Sequence, residues 1–377
     1  MRTNNTRALL GSLLPPILVV GCAATVRAQT LIVFDAPNAS DTLAGRINRR
    51  GDVPGYFYDV TQDNKRRGFV RERNGNFIVF DAPNATSTST ESINSRGDVS
   101  GIFSDDTGIH GFVRDRHGKF TVFDASPNAS LGFGNNYIND GGVVTGVFYD
   151  TSQKTLRGFV WDGNFAAFDA PDARYTFVYS INASGDVTGY FWDGIQNRNR
   201  GYIRDRNGNF TVFDAPDAFS TEEAMVNDRG EVVGNFEDTN ERRHHGFLRD
   251  RDGNFTVFDV PDALSMSVRG INTHAVVVGS FSKRNFSDLN LTQGGTLPGQ
   301  LVGNFAAHGF LRDRDGNFTF IDAPNAWSTV VSSINDRGDV AGGFTTGTFQ
   351  PNYHGMVRFA GKEDDGEDDG YGDQSQE

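Results

Sequence analysis

The sequence predicts an all-β fold, a seven-bladed β-propeller of four-stranded blades, and three observations lead to this prediction. A segment of about 45 residues recurs seven times along the 377-residue chain. Each copy contains four short strand-like runs separated by turn signals. The first recognisable strand complements the last three, so that together they make one complete set of four.

The repeat is marked by a Phe-x-x-Phe-Asp-like segment, and an internal period of this length is typical of propellers and solenoids. Its aspartate stands at positions 35, 81, 124, 169, 214, 259 and 322, which gives spacings of 46, 43, 45, 45, 45 and 63 residues. The last spacing is longer by about 18 residues. We therefore expect an enlarged loop within residues 282–307.

The four strands of a unit are clearest in residues 210–259. The strand-like runs there are 222–227, 231–237, 246–250 and 255–259. Asn-Gly or Asp-Gly pairs at 74–75, 207–208, 252–253 and 315–316 predict type I′ hairpins, because these residues tolerate positive φ. Each unit is therefore predicted to be an antiparallel meander.

The two ends of the repeat array predict how the ring closes. Residues 31–35 form a fourth strand with no partners before it, whereas residues 334–335, 340–344 and 354–359 supply first, second and third strands with no fourth. Joining them completes a seventh blade and removes exposed strand edges. An open β-solenoid is the alternative architecture.

Residues 1–28 predict a signal peptide, with Arg2 and Arg7 before an apolar run and small residues before Gln29. Cys22, the only cysteine, follows a segment that resembles the lipobox of bacterial lipoproteins, so lipidation is the alternative to simple cleavage. We expect a secreted or periplasmic protein without a transmembrane span, or an outer-membrane lipoprotein with a lipid anchor. A single cysteine forms no internal disulfide.

The rest of the chain divides into a propeller, residues 29–361, and an acidic tail, residues 362–377. The tail lacks apolar residues, and we expect it to be disordered. The net charge is -13, and the sequence has no basic stripe that would neutralise phosphates. Nucleic acid is therefore excluded as a partner.

The run Ile-Asn-x-x-Gly-x-Val-x-Gly, followed by His-Gly-Phe and Gly-Asn-Phe, resembles the bacterial extracellular HAF-repeat proteins. The closest copies are residues 334–342 and 110–114, and residues 159–163 look like the family's Phe-Leu-Trp-Asp-Gly run. The chain departs from the family where Arg67, Arg157 and Arg200 replace the histidine. The resemblance implies export and a repeat fold, and it implies no particular reaction.

Residues that recur in all seven repeats are predicted to be structural, since catalysis needs one asymmetric site. The repeated aspartate is expected to accept backbone N–H groups in the following Ala-Pro turn, and the seven asparagines that begin with Asn48 are expected to hold turns. The Asp-x-Asp-Gly-Asn loops at 250–254 and 313–317 lack a full set of calcium ligands. No His or Cys cluster has metal-ligand spacing, so we expect neither a metal nor a cofactor.

Residues that break the repeat are the better candidates for a site. The connections between second and third strands vary most and open on the same face as the connections between blades. Five residues of these connections are candidate ligand-binding residues: Arg174, Trp192, Phe219, Trp327 and Tyr353. Aromatic rings beside polar loops suit stacking on sugars or docking a protein.

Two functions follow from this reading. The first is a non-enzymatic binding or scaffold propeller that recognises a cell-envelope glycan or protein through the loops. The second is a propeller enzyme, a hydrolase or lyase acting on a carbohydrate or lactone at the central funnel, an idea that rests on fold analogy. Its candidate residues are Glu222, Glu223 and Arg269, although neighbouring glutamates on one strand point in opposite directions.

Overall fold

The protein is a seven-bladed β-propeller, as the sequence predicts. The structure is a computed structural model that describes residues 30–125, 129–131, 136–240, 243–283, 306–347 and 352–361. These residues form seven antiparallel sheets and one short 3-10 helix, Val60–Gln62. The predicted signal peptide with Cys22, the acidic tail and most of the insertion at 282–307 lie outside the described residues.

The blades are numbered in chain order, and each is given from its first to its fourth strand. Blade 1 comprises Ala39–Ala44, Val53–Asp59, Lys65–Arg71 and Phe77–Phe80, and blade 2 comprises Ser87–Ile93, Val99–Ser104, Ile109–Arg114 and Phe120–Phe123. Blade 3 comprises the interrupted first strand Ala129–Leu131 and Tyr137–Ile138, then Val144–Asp150, Thr155–Trp161 and Phe165–Phe168. Blade 4 comprises Ala173–Ile181, Val187–Asp193, Arg198–Arg204 and Phe210–Phe213.

Blades 5 to 7 follow the same order. Blade 5 comprises Ala218–Val226, Val232–Asp238, His244–Arg249 and Phe255–Phe258, and blade 6 comprises Ser265–Ile271, Val277–Ser282, Ala307–Arg312 and Phe318–Ile321. Blade 7 comprises Ser328–Ile334, Val340–Thr345, Tyr353–Arg358 and, from the start of the array, Leu31–Phe34. Leu31 pairs with Arg358 and Phe34 with Gly355, which confirms the predicted closure of the ring.

The connections of each blade alternate between its two ends, because successive strands are antiparallel. The connections between second and third strands and between blades emerge at one end, here called the loop face. The turns between first and second strands and between third and fourth strands emerge at the other, here called the turn face. The first strands of all seven blades line the central channel.

Aromatic residues fill the spaces between blades. The aromatic ring of a third strand packs edge-on or tilted against the fourth-strand phenylalanine of the preceding blade. The ring centroids of Phe112 and Phe80 are 6.5 Å apart, and those of Phe247 and Phe213 are 5.9 Å apart. The glycine before the third-strand ring is required there, because a Cβ at Gly111 would meet the ring of Phe123. The repeated Gly-Phe pair is thus explained by packing.

A closed ring of hydrogen bonds joins the blades at the turn face. The asparagine after each first strand accepts backbone N–H groups of its own turn through Oδ1, as Asn48 does from Arg50 and Asp52. Its Nδ2 donates to the carbonyl of the equivalent asparagine in the next blade. The seven donors, in order round the ring, are Asn48, Asn94, Asn139, Asn182, Asn227, Asn272 and Asn335. These side chains are structural, as expected.

The prediction of type I′ hairpins is wrong. In the turn after Arg204 the N–H of Gly208 donates to the carbonyl of Asp205 at 2.9 Å, and only Gly208 has a positive φ, of 91°. This is a type I turn followed by a left-handed glycine, and the Asp205 carboxylate accepts the N–H groups of Asn207 and Asn209. The aspartate two residues before the Asn-Gly pair favours this turn.

The repeated aspartate has a different partner from the one expected. Its carboxylate contacts the His or Arg that begins the third strand; the pairs are Asp35–His354, Asp81–Arg67, Asp124–His110, Asp169–Arg157, Asp214–Arg200, Asp259–His245 and Asp322–His308. The following Ala-Pro turn is held instead by a threonine hydroxyl, as Ala36 N–H donates to Thr42. Arginine and histidine therefore make the same contact, here called the latch, between the third and fourth strands.

Candidate functional site

The central channel holds two cavities that meet each other. The wider, of about 200 Å³, lies toward the turn face and is lined by all seven blades. The narrower, of about 40 Å³, lies deeper and is also lined by residues of all seven blades, with the largest share from blade 1. Arg46, Tyr137, Met225 and Arg269 line both cavities, so these side chains lie where the two meet.

Glu91 is the carboxyl group of the narrower cavity. Burial raises its pKa to about 8, although the backbone N–H of Asn136 and the charges of Arg46 and Arg66 lower it. Its Oε2 is shielded from solvent and has no hydrogen-bond partner among the described residues. At neutral pH the group is therefore mostly uncharged, and it has a proton to donate.

Two guanidinium groups face the same cavity. Cζ of Arg46 lies 4.1 Å from the centroid of the Tyr137 ring, and its Nη2 donates to the carbonyl of Tyr179 at 2.9 Å. Arg269 is 12% exposed, and its Nη1 lies 3.7 Å from Oε1 of Glu223. Its Nε is buried without a hydrogen-bond partner in the described part of the chain.

The structure places the three predicted catalytic candidates close together but gives the glutamates structural contacts. Oε2 of Glu223 accepts from Asn235 at 2.6 Å and from Ser267 at 3.0 Å, which ties blade 5 to blade 6. Oε1 of Glu222 accepts from Asn199 at 3.1 Å, toward blade 4. Arg269 lines the channel cavities, whereas the described walls include neither glutamate.

A row of five aromatic rings runs along blade 4, on the face turned toward blade 5. Its members lie on the first two strands: Trp192, Tyr175, Phe177, Tyr190 and Tyr179. Neighbouring centroids are 6.1, 5.4, 4.9 and 5.7 Å apart in that order. All five are partly exposed, and the row leads from the loop face to Tyr179 at the channel cavity.

Polar groups stand beside the loop-face end of this row. The hydroxyl of Tyr175 donates to Oδ1 of Asn199 at 3.4 Å, and Asn199 in turn donates to Glu222. Burial raises the pKa of Tyr175, and the negative charge of Glu222 raises it further. The partly exposed surface where blades 4 and 5 meet, here called the blade 4–5 crevice and defined by Trp192, Tyr175, Asn199 and Glu222, therefore combines ring faces with an amide and a carboxylate.

The other predicted binding residues are spread over the loop face. Arg174 and Phe219 are exposed near the start of the first strands of blades 4 and 5, on either side of the crevice. Trp327 and Tyr353 lie in blade 7, where both approach Thr345: Trp327 N–H donates to its carbonyl at 2.6 Å and Tyr353 pairs with it. The five candidates thus form two groups rather than one site. Of the insertion, only residues 282–283 and 306–307 are described.

The described residues contain no group of three or more His, Cys, Asp or Glu side chains arranged to hold a metal ion. The histidines that precede the third-strand glycines, His110, His245, His308 and His354, belong to the latches instead. Their rings also stack on second-strand phenylalanines, as His354 does on Phe344 at 4.9 Å. Within the described ranges, no helix is long and apolar enough to cross a membrane.

Sequence reasoning missed Glu91 and Arg46, since Glu222, Glu223 and Arg269 were taken as the only ionisable candidates of the channel. A signal was present. The residue three places before each ring asparagine differs in every blade, namely Gly45, Glu91, Asn136, Tyr179, Ala224, Arg269 and Ser332. Five of these residues, all except Asn136 and Ala224, line the narrower cavity, so variation at this position indicates most of its wall. Arg46 stands one place later in its repeat.

Comparisons with known proteins bear on the fold. No family model and no curated protein matches the chain. Among solved structures, virginiamycin B lyase from Staphylococcus aureus is 12% identical with a TM-score of 0.53, over 88% of this chain and 99% of that chain. A streptogramin B lyase structure is 14% identical with a TM-score of 0.51, over 87% and 97%.

A puromycin hydrolase mutant is 12% identical with a TM-score of 0.52, over 83% of this chain and 52% of that chain. At these identities the likeness extends to the backbone fold alone. The chain is a seven-bladed propeller, and its function has to be argued from its own residues.

Proposed function

We propose that this protein is an exported, non-enzymatic binding propeller that recognises a cell-envelope glycan on its loop face, in the blade 4–5 crevice. The aromatic row that ends at Trp192 carries the proposal. Its rings are partly exposed, and its loop-face end lies beside the Asn199–Glu222 pair.

The chemistry of the crevice matches that of a sugar. The C–H faces of a pyranose ring pack on flat aromatic rings, which supply a large apolar area at small cost in conformational entropy. Its hydroxyl groups both donate and accept hydrogen bonds, and the amide of Asn199 and the carboxylate of Glu222 offer one group of each kind. A few polar groups placed beside apolar walls are the usual composition of a small-molecule site.

Binding of the full chain to an array of bacterial and plant glycans tests the proposal. We expect Trp192→Ala to weaken binding at least tenfold, because the stacking surface is lost. Trp327→Ala removes the same residue type from the other group of candidates, at blade 7, and unchanged binding in this variant would confine the site to the crevice. Failure of every envelope glycan to bind would overturn the proposal, and capture of an envelope protein through the same crevice would replace the glycan by a protein ligand.

An enzymatic function at the channel is the second candidate, and Glu91 is the observation that favours it. A carboxyl group with a pKa of about 8 beside a cavity is a candidate general acid. Product analysis of every bound glycan or lactone decides between the two functions. Turnover lost in Glu91→Gln would make the protein an enzyme, and the same assay in Glu222→Gln and Glu223→Gln tests the candidates from the sequence.

We also propose that residues 1–28 direct export, with processing either before Gln29 or at Cys22. Intact-mass measurement of the mature protein distinguishes the two. A mass that begins at Gln29 supports simple cleavage, whereas a diacylglyceryl adduct that disappears in Cys22→Ala supports a lipid anchor.

A further inference from the structure

The channel contains a guanidinium group whose bonding is incomplete. Arg269 is largely buried, and among the described residues its one polar contact is the 3.7 Å approach to Glu223. Glu223 directs its other oxygen to Asn235 and Ser267. A buried arginine in such surroundings is costly unless an anion completes its hydrogen bonds.

The charges around the narrower cavity leave its walls positive, whereas the wider cavity is lined in addition by Arg49 and by Asp140, Asp228 and Asp336. Arg46 and Arg269 contribute two positive charges, and Glu223 contributes one negative charge through its contact with Arg269. Glu91 adds no negative charge at neutral pH, because burial raises its pKa to about 8 and keeps it mostly protonated. The groups that face Glu91 from neighbouring strands are Arg46, Arg66, Tyr56 and Tyr137, of which only the arginines are charged at neutral pH.

We propose that the channel binds a small molecule through its carboxylate group, held between Arg46 and Arg269. The narrower cavity, of about 40 Å³, accommodates the carboxylate, and the wider one, of about 200 Å³, accommodates the remainder of the molecule. The protonated Glu91 donates a hydrogen bond to one carboxylate oxygen through its unpartnered Oε2. This site is separate from the glycan crevice and does not depend on it.

Titration calorimetry of the full chain with sodium acetate tests the proposal, at constant ionic strength and with inorganic phosphate and methylammonium chloride as comparison probes. We expect saturable binding of acetate with a Kd of roughly 1 mM at pH 7, the affinity of a few charge-assisted hydrogen bonds. Arg269→Gln should weaken it at least tenfold. Arg206→Gln, which removes an exposed arginine from a turn, should leave it unchanged.

Glu91 gives an independent readout that does not require a variant of Arg269. Binding in the wild type should weaken as the pH rises from 7 to 9, because an ionised Glu91 repels the ligand. Glu91→Gln should bind acetate with little dependence on pH, since the amide still donates a hydrogen bond.

Three results would overturn the proposal. The first is the absence of saturable acetate binding. The second is an equal acetate affinity of the wild type and of a folded Arg269→Gln variant. The third is a wild-type acetate affinity that does not change between pH 7 and 9. Preference for phosphate over acetate would reject the carboxylate, and binding of methylammonium would reject an anion site. None of these results bears on the glycan crevice, which Trp192→Ala tests separately.

Discussion

Nδ2 of Asn335 donates to the backbone carbonyl of Asn48 over 2.8 Å, and this bond connects the last blade to the first. The same nitrogen reaches Asp339, and Oδ1 of Asn335 holds its own turn. One buried side chain thus serves both the turn and the ring.

Asn335→Ala is expected to lower the free energy of unfolding by roughly 2–4 kcal/mol, because several buried hydrogen bonds are lost and the carbonyl of Asn48 loses a donor. Urea unfolding followed by circular dichroism measures it. The matched control is Asn74→Ala, an exposed turn residue, for which we expect less than about 1 kcal/mol. Equal effects of the two substitutions would mean that the ring contributes little to stability.

Gly189 is a position where no side chain fits. A Cβ there would meet the carbonyl of Phe177 on the paired strand, so Gly189→Ala must separate the first two strands of blade 4. We expect a loss of roughly 2 kcal/mol or more in unfolding free energy. Gly194→Ala is the control, since its Cβ would lie 3.4 Å from the nearest atom, an ordinary contact. A tolerated Gly189→Ala would contradict this explanation of the glycine in the second strand of blade 4.

The latch of blade 2 predicts a pH dependence. Partial burial lowers the pKa of His110, but hydrogen bonds to Asp124 and Asp105 outweigh it and raise the pKa above its ordinary value. A histidine with a raised folded-state pKa stabilises the fold below its unfolded pKa, about 6.5, and this contribution is lost as the pH rises through the folded value.

Thermal unfolding between pH 5.5 and 8.5 measures this dependence. His110→Arg should flatten the profile, because it removes the imidazole while an arginine makes the same latch in blade 1, where Arg67 contacts Asp81. The control is His117→Arg, at an exposed turn position. If His110→Arg and the wild type lost stability in parallel, the latch would not be the titrating group.

Glu91 predicts a second dependence of stability on pH. Its folded pKa of about 8 lies above the ordinary value of 4.5 for a glutamate side chain, so the folded state binds the proton more tightly. The wild type should therefore lose stability as the pH rises from about 4.5 to 8, whereas Glu91→Gln should lose less, because only contributions such as that of the His110 latch remain. Urea midpoints at pH 5, 7 and 9 measure the difference, with Glu72→Gln as the control. Profiles that coincide would show that Glu91 is hydrated in the channel.

The fold was predictable because its signals are repeated. The spacing of the aspartates gives the number of blades, and the strand at Leu31–Phe34 predicts the closure that its pairing with Tyr353–Arg358 confirms. The turn type was mispredicted because Asn-Gly is compatible with two kinds of hairpin, and Asp205 decides between them through its own hydrogen bonds.

The candidate site was less predictable because it depends on single residues. The pKa of Glu91 depends on enclosure by neighbouring blades, and nothing in its local sequence, Ser-Thr-Glu-Ser, indicates that enclosure. The aromatic row of blade 4 combines residues of two strands, so that Trp192 and Tyr175 become neighbours only through the register of the sheet. The pairing of Asp81 with Arg67 likewise spans two strands.

The ring of asparagines also constrains the circumference of the propeller. Each amide must span from its own turn to the next at 2.8–3.3 Å, so the number of blades fixes the radius at which all seven bonds close. A chain with one unit duplicated would have to widen the circle and change the angle at every junction. The amide bonds therefore favour a ring of seven blades. They lie at the turn face, opposite to the loop face, where the connections are free to vary.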